Sequence, residues 1–196
     1  MIEIDALATL NKNNYLVVDN FIEVDRANFI YEELKNHIRN GQINREYEID
    51  GQCPLSYSLV GYRPFIMLLV DKVALLDNIL GQPVLPTYAY GRLYQHAEEL
   101  KKHTDRPECE CSVTVHLGSD GTEWPIWFTR PDGTTTSVNM KPGQGIIYKG
   151  MESVHWREGF KGQEYGQVFL HYVRANGAYW DRYFDKKTDV TSNESN

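Results

Sequence analysis

Beyond Pro83 the sequence is cut by Gly, Pro and Asp turns into short runs of β-type residues, at 87–94, 110–117, 126–129, 134–138, 145–148, 153–156 and 167–173. Evenly spaced short strands of this kind indicate a sandwich or barrel. The pattern therefore predicts a mainly β fold, a double-stranded β-helix of the jelly-roll, cupin-like kind, with Pro131-Asp132-Gly133 turning the chain between two of its strands. Two amphipathic helices are expected to precede it and to pack on one sheet. The first carries Ala27, Ile30, Tyr31, Leu34 and Ile38 at helical spacing and stops at Asn40-Gly41. The second opens at Pro64, carries Phe65, Leu68, Leu69, Val73, Leu76 and Leu80 on one face, and ends at Gly81. Tyr15-Leu16-Val17-Val18 is a short β-type run ahead of both helices. The polar stretch up to Tyr62, where Tyr57 and Leu59 alternate around Ser58, reads as a loop or an irregular strand pair.

A chain of 196 residues suits one domain with a core large enough to need no staples. Its expected limits are 1–185, with a helical part at 1–82, the jelly-roll core at 83–175, and a polar tail at 186–196 that is too poor in apolar residues to fold. The three cysteines are odd in number and lack zinc-site spacing, and no charged-then-apolar leader comes before them, so the expected compartment is the cytoplasm. The apolar run Phe65-Ile66-Met67-Leu68-Leu69-Val70 is cut off by Asp71 and Lys72, far short of a membrane span. A formal net charge of −7 with no basic block argues against nucleic acid and anionic membranes as partners. Oligomeric state and source organism leave no signature in the sequence.

The chemistry is carried by His103-Thr104-Asp105 and, on a later run, His155. In an extended segment residues two apart share a face, so the His103 imidazole and the Asp105 carboxylate can reach one ion while Thr104 points away. Two imidazoles and one carboxylate on one side of a metal leave the other side open, the ligand pattern of non-haem Fe(II) oxygenases. The bare alternatives are a surface turn for the triplet and a buried structural histidine for His155.

The neighbours of these residues weigh against those alternatives. Tyr90-Gly91-Arg92-Leu93-Tyr94 leads into Glu99-Leu100-Lys101-Lys102-His103-Thr104-Asp105-Arg106. Then come Cys111-Ser112-Val113-Thr114-Val115-His116-Leu117, the turn and strand Lys141-Pro142-Gly143-Gln144-Gly145-Ile146-Ile147-Tyr148, and His155. In order and spacing this stretch, from Tyr88 to Tyr172, resembles the Fe(II)/2-oxoglutarate-dependent dioxygenase superfamily, and within it the prolyl-4-hydroxylase-like branch. The resemblance implies Fe(II) held by His103, Asp105 and His155, 2-oxoglutarate and O2 as cosubstrates, and ascorbate as an aid to activity. It implies oxidative decarboxylation of 2-oxoglutarate to succinate and CO2, coupled to hydroxylation of a C–H bond on a small-molecule or peptidyl substrate, with a prolyl or other amino-acid side chain as the first candidate. No catalytic residue beyond the metal ligands is required.

The sequence departs from the superfamily at one point. A basic residue for the far carboxylate of 2-oxoglutarate is expected about ten positions after the distal histidine, but Gln163-Glu164-Tyr165-Gly166-Gln167 holds none. Arg157 is the preferred substitute, because on a continuing strand it shares a face with His155 and its guanidinium can take a carboxylate bidentately. Arg92, on the face of Tyr90 and Tyr94, is the second. Tyr94 and His116 are further cosubstrate candidates, against the plain readings of a core tyrosine and a solvent-facing histidine. Cys109 and Cys111 share a strand face and are expected in the core. His171 could face the interior near the iron, but a hydrogen-bonded structural role is the preferred reading. Trp124-Pro125-Ile126-Trp127-Phe128 either walls the substrate mouth or packs on the second helix. Two other readings stay open: a cupin-like isomerase or other redox-inactive metalloenzyme, and a non-catalytic jelly-roll binding module.

Overall fold

The computed structural model describes residues 3–41 and 52–185. In chain order the elements are α1 (Glu3–Asn13), β1 (Tyr15–Val18), α2 (Val24–Arg39), β2 (Tyr57–Val60), α3 (Arg63–Asp71), α4 (Val73–Leu80), β3 (Val84–Gln95), β4 (Leu100–His103), β5 (Cys111–Ser119), β6 (Ile126–Thr129), β7 (Thr135–Val138), β8 (Gly145–Tyr148), β9 (His155–Arg157) and β10 (Glu164–Arg174). The strands form two antiparallel sheets, a six-stranded one in the order β1-β8-β5-β10-β3-β2 and a four-stranded one in the order β4-β9-β6-β7. From β3 onward the chain passes back and forth between them, with β6 and β7 consecutive in the small sheet, which is the double-stranded β-helix expected from the spacing of the runs.

Alternation along the large sheet sorts its side chains into two compartments. Val113, Val115 and Leu117 of β5, with Val168, Leu170 and Tyr172 of β10, face the helices, where they meet Leu34 of α2, Phe65 and Leu68 of α3 and Leu76 of α4. Most of these are wholly buried, and each such aliphatic side chain contributes about 1.5–3 kcal/mol relative to exposure. The intervening residues, Ser112, Thr114 and His116 on β5 and Gln167, Phe169 and His171 on β10, turn inward between the sheets. The interior of the roll is therefore polar and aromatic, while the aliphatic core lies outside it under the helices.

Some expectations shift. The helix expected from Pro64 to Gly81 is broken at Lys72 into α3 and α4, because α3 packs on β3 and β10 whereas α4 packs on α1 and β3. Helix α1, with Ala6 and Leu10 buried, and strand β4 were not read from the sequence. Cys109 is not on a strand face with Cys111: it sits in a 3-10 turn with its thiol 3.1 Å from the Tyr88 hydroxyl, and only Cys111 joins the helix-side core. The Trp124–Phe128 segment neither lines the mouth nor meets the second helix. Trp124 fills the roll against Tyr94, Phe160 and Tyr165, and Trp127 stacks on Trp156. Positions 186–196, expected as a tail, lie outside the described residues. No helix among the described residues is long and apolar enough to cross a membrane.

Candidate metal centre and adjoining cavity

Strand pairing assembles the three residues singled out by the sequence. In the small sheet His103 of β4 is the direct partner of His155 of β9, which sets their rings 4.3 Å apart. Two residues beyond His103 the Asp105 amide donates to the Gly150 carbonyl at 2.8 Å, turning the carboxylate back toward both imidazoles. One Asp105 oxygen lies 3.6 Å from His103 Nε2 and 3.6 Å from His155 Nε2. The donor atoms of the three all fall within 4.8 Å of one another.

The protonation pattern decides what such a cluster can do. His103 Nδ1 is 2.7 Å from the Lys101 carbonyl and His155 Nδ1 is 2.9 Å from the Ser153 carbonyl. A carbonyl only accepts, so each Nδ1 carries the proton and donates it. In the neutral rings both Nε2 atoms are then bare lone pairs. Burial lowers the pKa of His155, favouring its neutral form. With the rings neutral, two lone pairs and a carboxylate oxygen converge, a donor set suited to a cation. Gly150 makes room for this packing: a Cβ there would stand 2.0 Å from the Cys109 carbonyl oxygen and 2.8 Å from Asp105 Oδ2.

The triad lines a cavity of about 500 Å3. Register across the large sheet divides its wall into layers. Tyr148 and His171 pair with Ser112 at the level of the triad; Tyr90 pairs with Phe169 one layer deeper, and Arg92 with Gln167 a layer further in. Tyr88, Tyr90, Phe169 and His171 form an aromatic shelf, with Tyr90 stacked on Phe169 at 4.7 Å and Tyr88 against His171 at 4.5 Å. At the inner end Arg92 is 2 % exposed, donates to the Tyr94 hydroxyl at 3.3 Å and lies over the rings of Tyr90, Tyr94 and Phe169. Burial pushes the Tyr94 phenol up to about 12, against the pull of the Arg92 and Arg157 charges on either side.

Of the four cosubstrate candidates, Arg92 and Tyr94 line this cavity with the triad, whereas Arg157 and His116 are not among its lining residues. Arg157 does point inward and is 1 % exposed. Its guanidinium is spent on the Trp124 carbonyl and on the faces of Trp124 and Tyr165, 4.6 and 4.9 Å away. Its Nε has no partner. His116 is buried rather than solvent-facing, stacked on Tyr165 at 4.1 Å, and it borders a second cavity of about 530 Å3 with Trp124 and Tyr165. Burial, then the Arg157 charge, bring its pKa down to about 4. His171 faces the interior at the level of the triad, and burial holds it at about 4. Ser112 and Tyr148, not singled out in the sequence, complete that layer. Strand parity with His116 was the signal available for Ser112.

No family model matches the sequence, and no curated protein matches it. Solved structures do share the fold. A prolyl-4-hydroxylase from Pseudomonas putida is 14 % identical, with 88 % of this chain and 99 % of that one covered and a TM-score of 0.70. HygX from Streptomyces hygroscopicus, with nickel and 2-oxoglutarate bound, is 11 % identical, with 90 % and 89 % covered and a TM-score of 0.71. A prolyl hydroxylase from Trichoplax adhaerens, in complex with a peptide of the hypoxia inducible factor oxygen degradation domain, is 12 % identical, with 88 % and 89 % covered and a TM-score of 0.69. At such identities the likeness is one of fold.

Proposed function

We propose that this chain, built on the double-stranded β-helix it shares with 2-oxoglutarate oxygenases, is an Fe(II)- and 2-oxoglutarate-dependent dioxygenase. The observation that carries the reading is the convergence of the bare Nε2 atoms of His103 and His155 on the Asp105 carboxylate, inside a cavity whose inner end holds a buried guanidinium. When bound, iron(II) and 2-oxoglutarate supply the oxidative chemistry: decarboxylation of the cosubstrate to succinate and CO2, coupled through O2 to hydroxylation of a C–H bond.

The residues divide the remaining work. His103, Asp105 and His155 hold the metal, and the carbonyls of Lys101 and Ser153 fix the two imidazoles by taking their Nδ1 protons. Arg92 holds the distal carboxylate of 2-oxoglutarate from the floor of the same cavity, with the Tyr94 hydroxyl as second donor. Arg157, behind Tyr94, adds positive field without direct contact. It is a buried charge with no carboxylate partner among the described residues, a costly state that a nearby dianion offsets. Phe169 and Tyr90 line the cavity between the level of the triad and Arg92 and give it an apolar wall there. Prolyl-hydroxylase relatives in fold support a peptidyl or amino-acid substrate.

Succinate release by the Fe(II)-loaded protein, with 2-oxoglutarate, ascorbate and a panel of peptides and small molecules, tests the reading. Turnover that requires both Fe(II) and 2-oxoglutarate is expected. Activity with a redox-inactive metal and no succinate would instead indicate the cupin-like alternative.

A further inference from the structure

One oxygen of Asp105 faces the two imidazoles, and the other accepts from Ser112 Oγ at 2.9 Å. Ser112 Oγ is also 2.9 Å from His171 Nδ1 and 3.2 Å from the Cys109 carbonyl. A hydroxyl has a single hydrogen. A carboxylate accepts only and its hydrogen bonds are the stronger ones, so the Ser112 hydrogen goes to Asp105. Ser112 must then accept from His171, which requires His171 to carry its proton on Nδ1. The other ring nitrogen, Nε2, is consequently a bare lone pair. It has no partner, its residue is 3 % exposed, and the ring borders the cavity at the level of the metal triad, beside Tyr88 and Tyr90.

We infer that His171 is a specificity-determining residue: Ser112 fixes its tautomer, and its Nε2 accepts a hydrogen bond from the substrate, which therefore presents an N–H or O–H donor on a flat group seated along the Tyr88–Tyr90 shelf. This rests on the reading of the cavity as the active site. The orientation of the relay, His171 to Ser112 to Asp105, follows from the Ser112 hydrogen going to the charged carboxylate in preference to its neutral neighbours, the Cys109 carbonyl, the Tyr148 hydroxyl and the His171 ring.

Long-range 1H–15N correlation spectra of the full chain, metal-free and zinc-loaded, read the tautomer directly, with His171→Phe to assign the signals. Nδ1 of His171 is expected in the protonated position and Nε2 bare in both states. Ser112→Ala should release the ring from that tautomer, and Ser112→Thr, which keeps the hydroxyl, should restore it. A His171 protonated on Nε2 in the wild type overturns the inference. The donor requirement is probed with 2-pyrrolidinone and N-methyl-2-pyrrolidinone, flat lactams that differ in one N–H. Only the first should shift the His171 Nε2 resonance; an equal response to both, or to neither, overturns the assignment. Failure of the protein to bind zinc would count against the metal centre and leave the tautomer result standing, so the two ideas fail separately.

Discussion

Replacing Arg92 by Met keeps the length of the side chain and removes its charge and donors. In the fold the guanidinium donates to Tyr94 at 3.3 Å and to the Cys53 sulfur at 3.2 Å, and it is the buried cation on the wall that the metal triad shares. A hydrogen bond to a charged group is worth about 1.5–3 kcal/mol. At roughly 1.4 kcal/mol per factor of ten, losing the contact to a carboxylate should weaken 2-oxoglutarate by about 10- to 150-fold. The charged-donor hydrogen bonds lost from the fold, to the Tyr94 hydroxyl, the Cys53 sulfur and the Ser58 hydroxyl, should lower Tm, so binding is compared on the fraction that remains folded. The assay is the 2-oxoglutarate dependence of succinate release, or anaerobic calorimetry on the Fe(II) protein, with Arg157→Met alongside. Arg157→Met should destabilise through the lost contacts to Trp124 and Tyr165, each worth up to about 2 kcal/mol when desolvated, yet weaken the cosubstrate less than Arg92→Met does. The reverse order would refute the assignment and make Arg157 the anchor.

Gly150→Ala should abolish metal binding and lower Tm, since a methyl group there overlaps the Cys109 carbonyl and crowds Asp105 Oδ2; equilibrium dialysis against Co(II) reads the first effect. Stability should fall between pH 6.5 and 4 through His116. Above the unfolded pKa of 6.5 the ring is neutral in both states, whereas below it the unfolded chain takes up a proton that the folded ring, at about 4, refuses until lower pH. The full difference is worth about 3 kcal/mol. His116→Gln should lessen the dependence of urea unfolding on pH across this window, leaving the part due to His171, also held at about 4, and an unchanged slope would show that His116 does not contribute.

The sequence held more of the fold than of the cavity. Period-two runs and the Pro142-Gly143 turn, where Gly143 adopts φ 84 and has the Ile22 carbonyl 2.6 Å from the place of a Cβ, were enough to call for two sheets joined by tight turns. Parity also placed Arg157 and Arg92 on inward faces, as found. What parity cannot give is depth. Whether an inward arginine reaches the cavity lined by His103, Asp105 and His155 depends on the register of β10 against β3 and on the bulk of Trp124, neither of which is local. Ser112 and His171 meet across 59 residues for the same reason. Strand β4 carries no strand pattern because Lys101 and Lys102 between Leu100 and His103 break the apolar alternation, and among the described side chains of α1 Ala6 and Leu10 alone are well buried, too few to mark a helical face.

If His103, Asp105 and His155 hold an iron whose open side takes 2-oxoglutarate, anaerobic addition of 2-oxoglutarate to the Fe(II) protein reports it. A visible charge-transfer band should grow to one equivalent and should be absent in His103→Ala, Asp105→Ala and His155→Ala. A wild-type protein that binds Fe(II) but shows no band, or variants that keep it, would contradict the account.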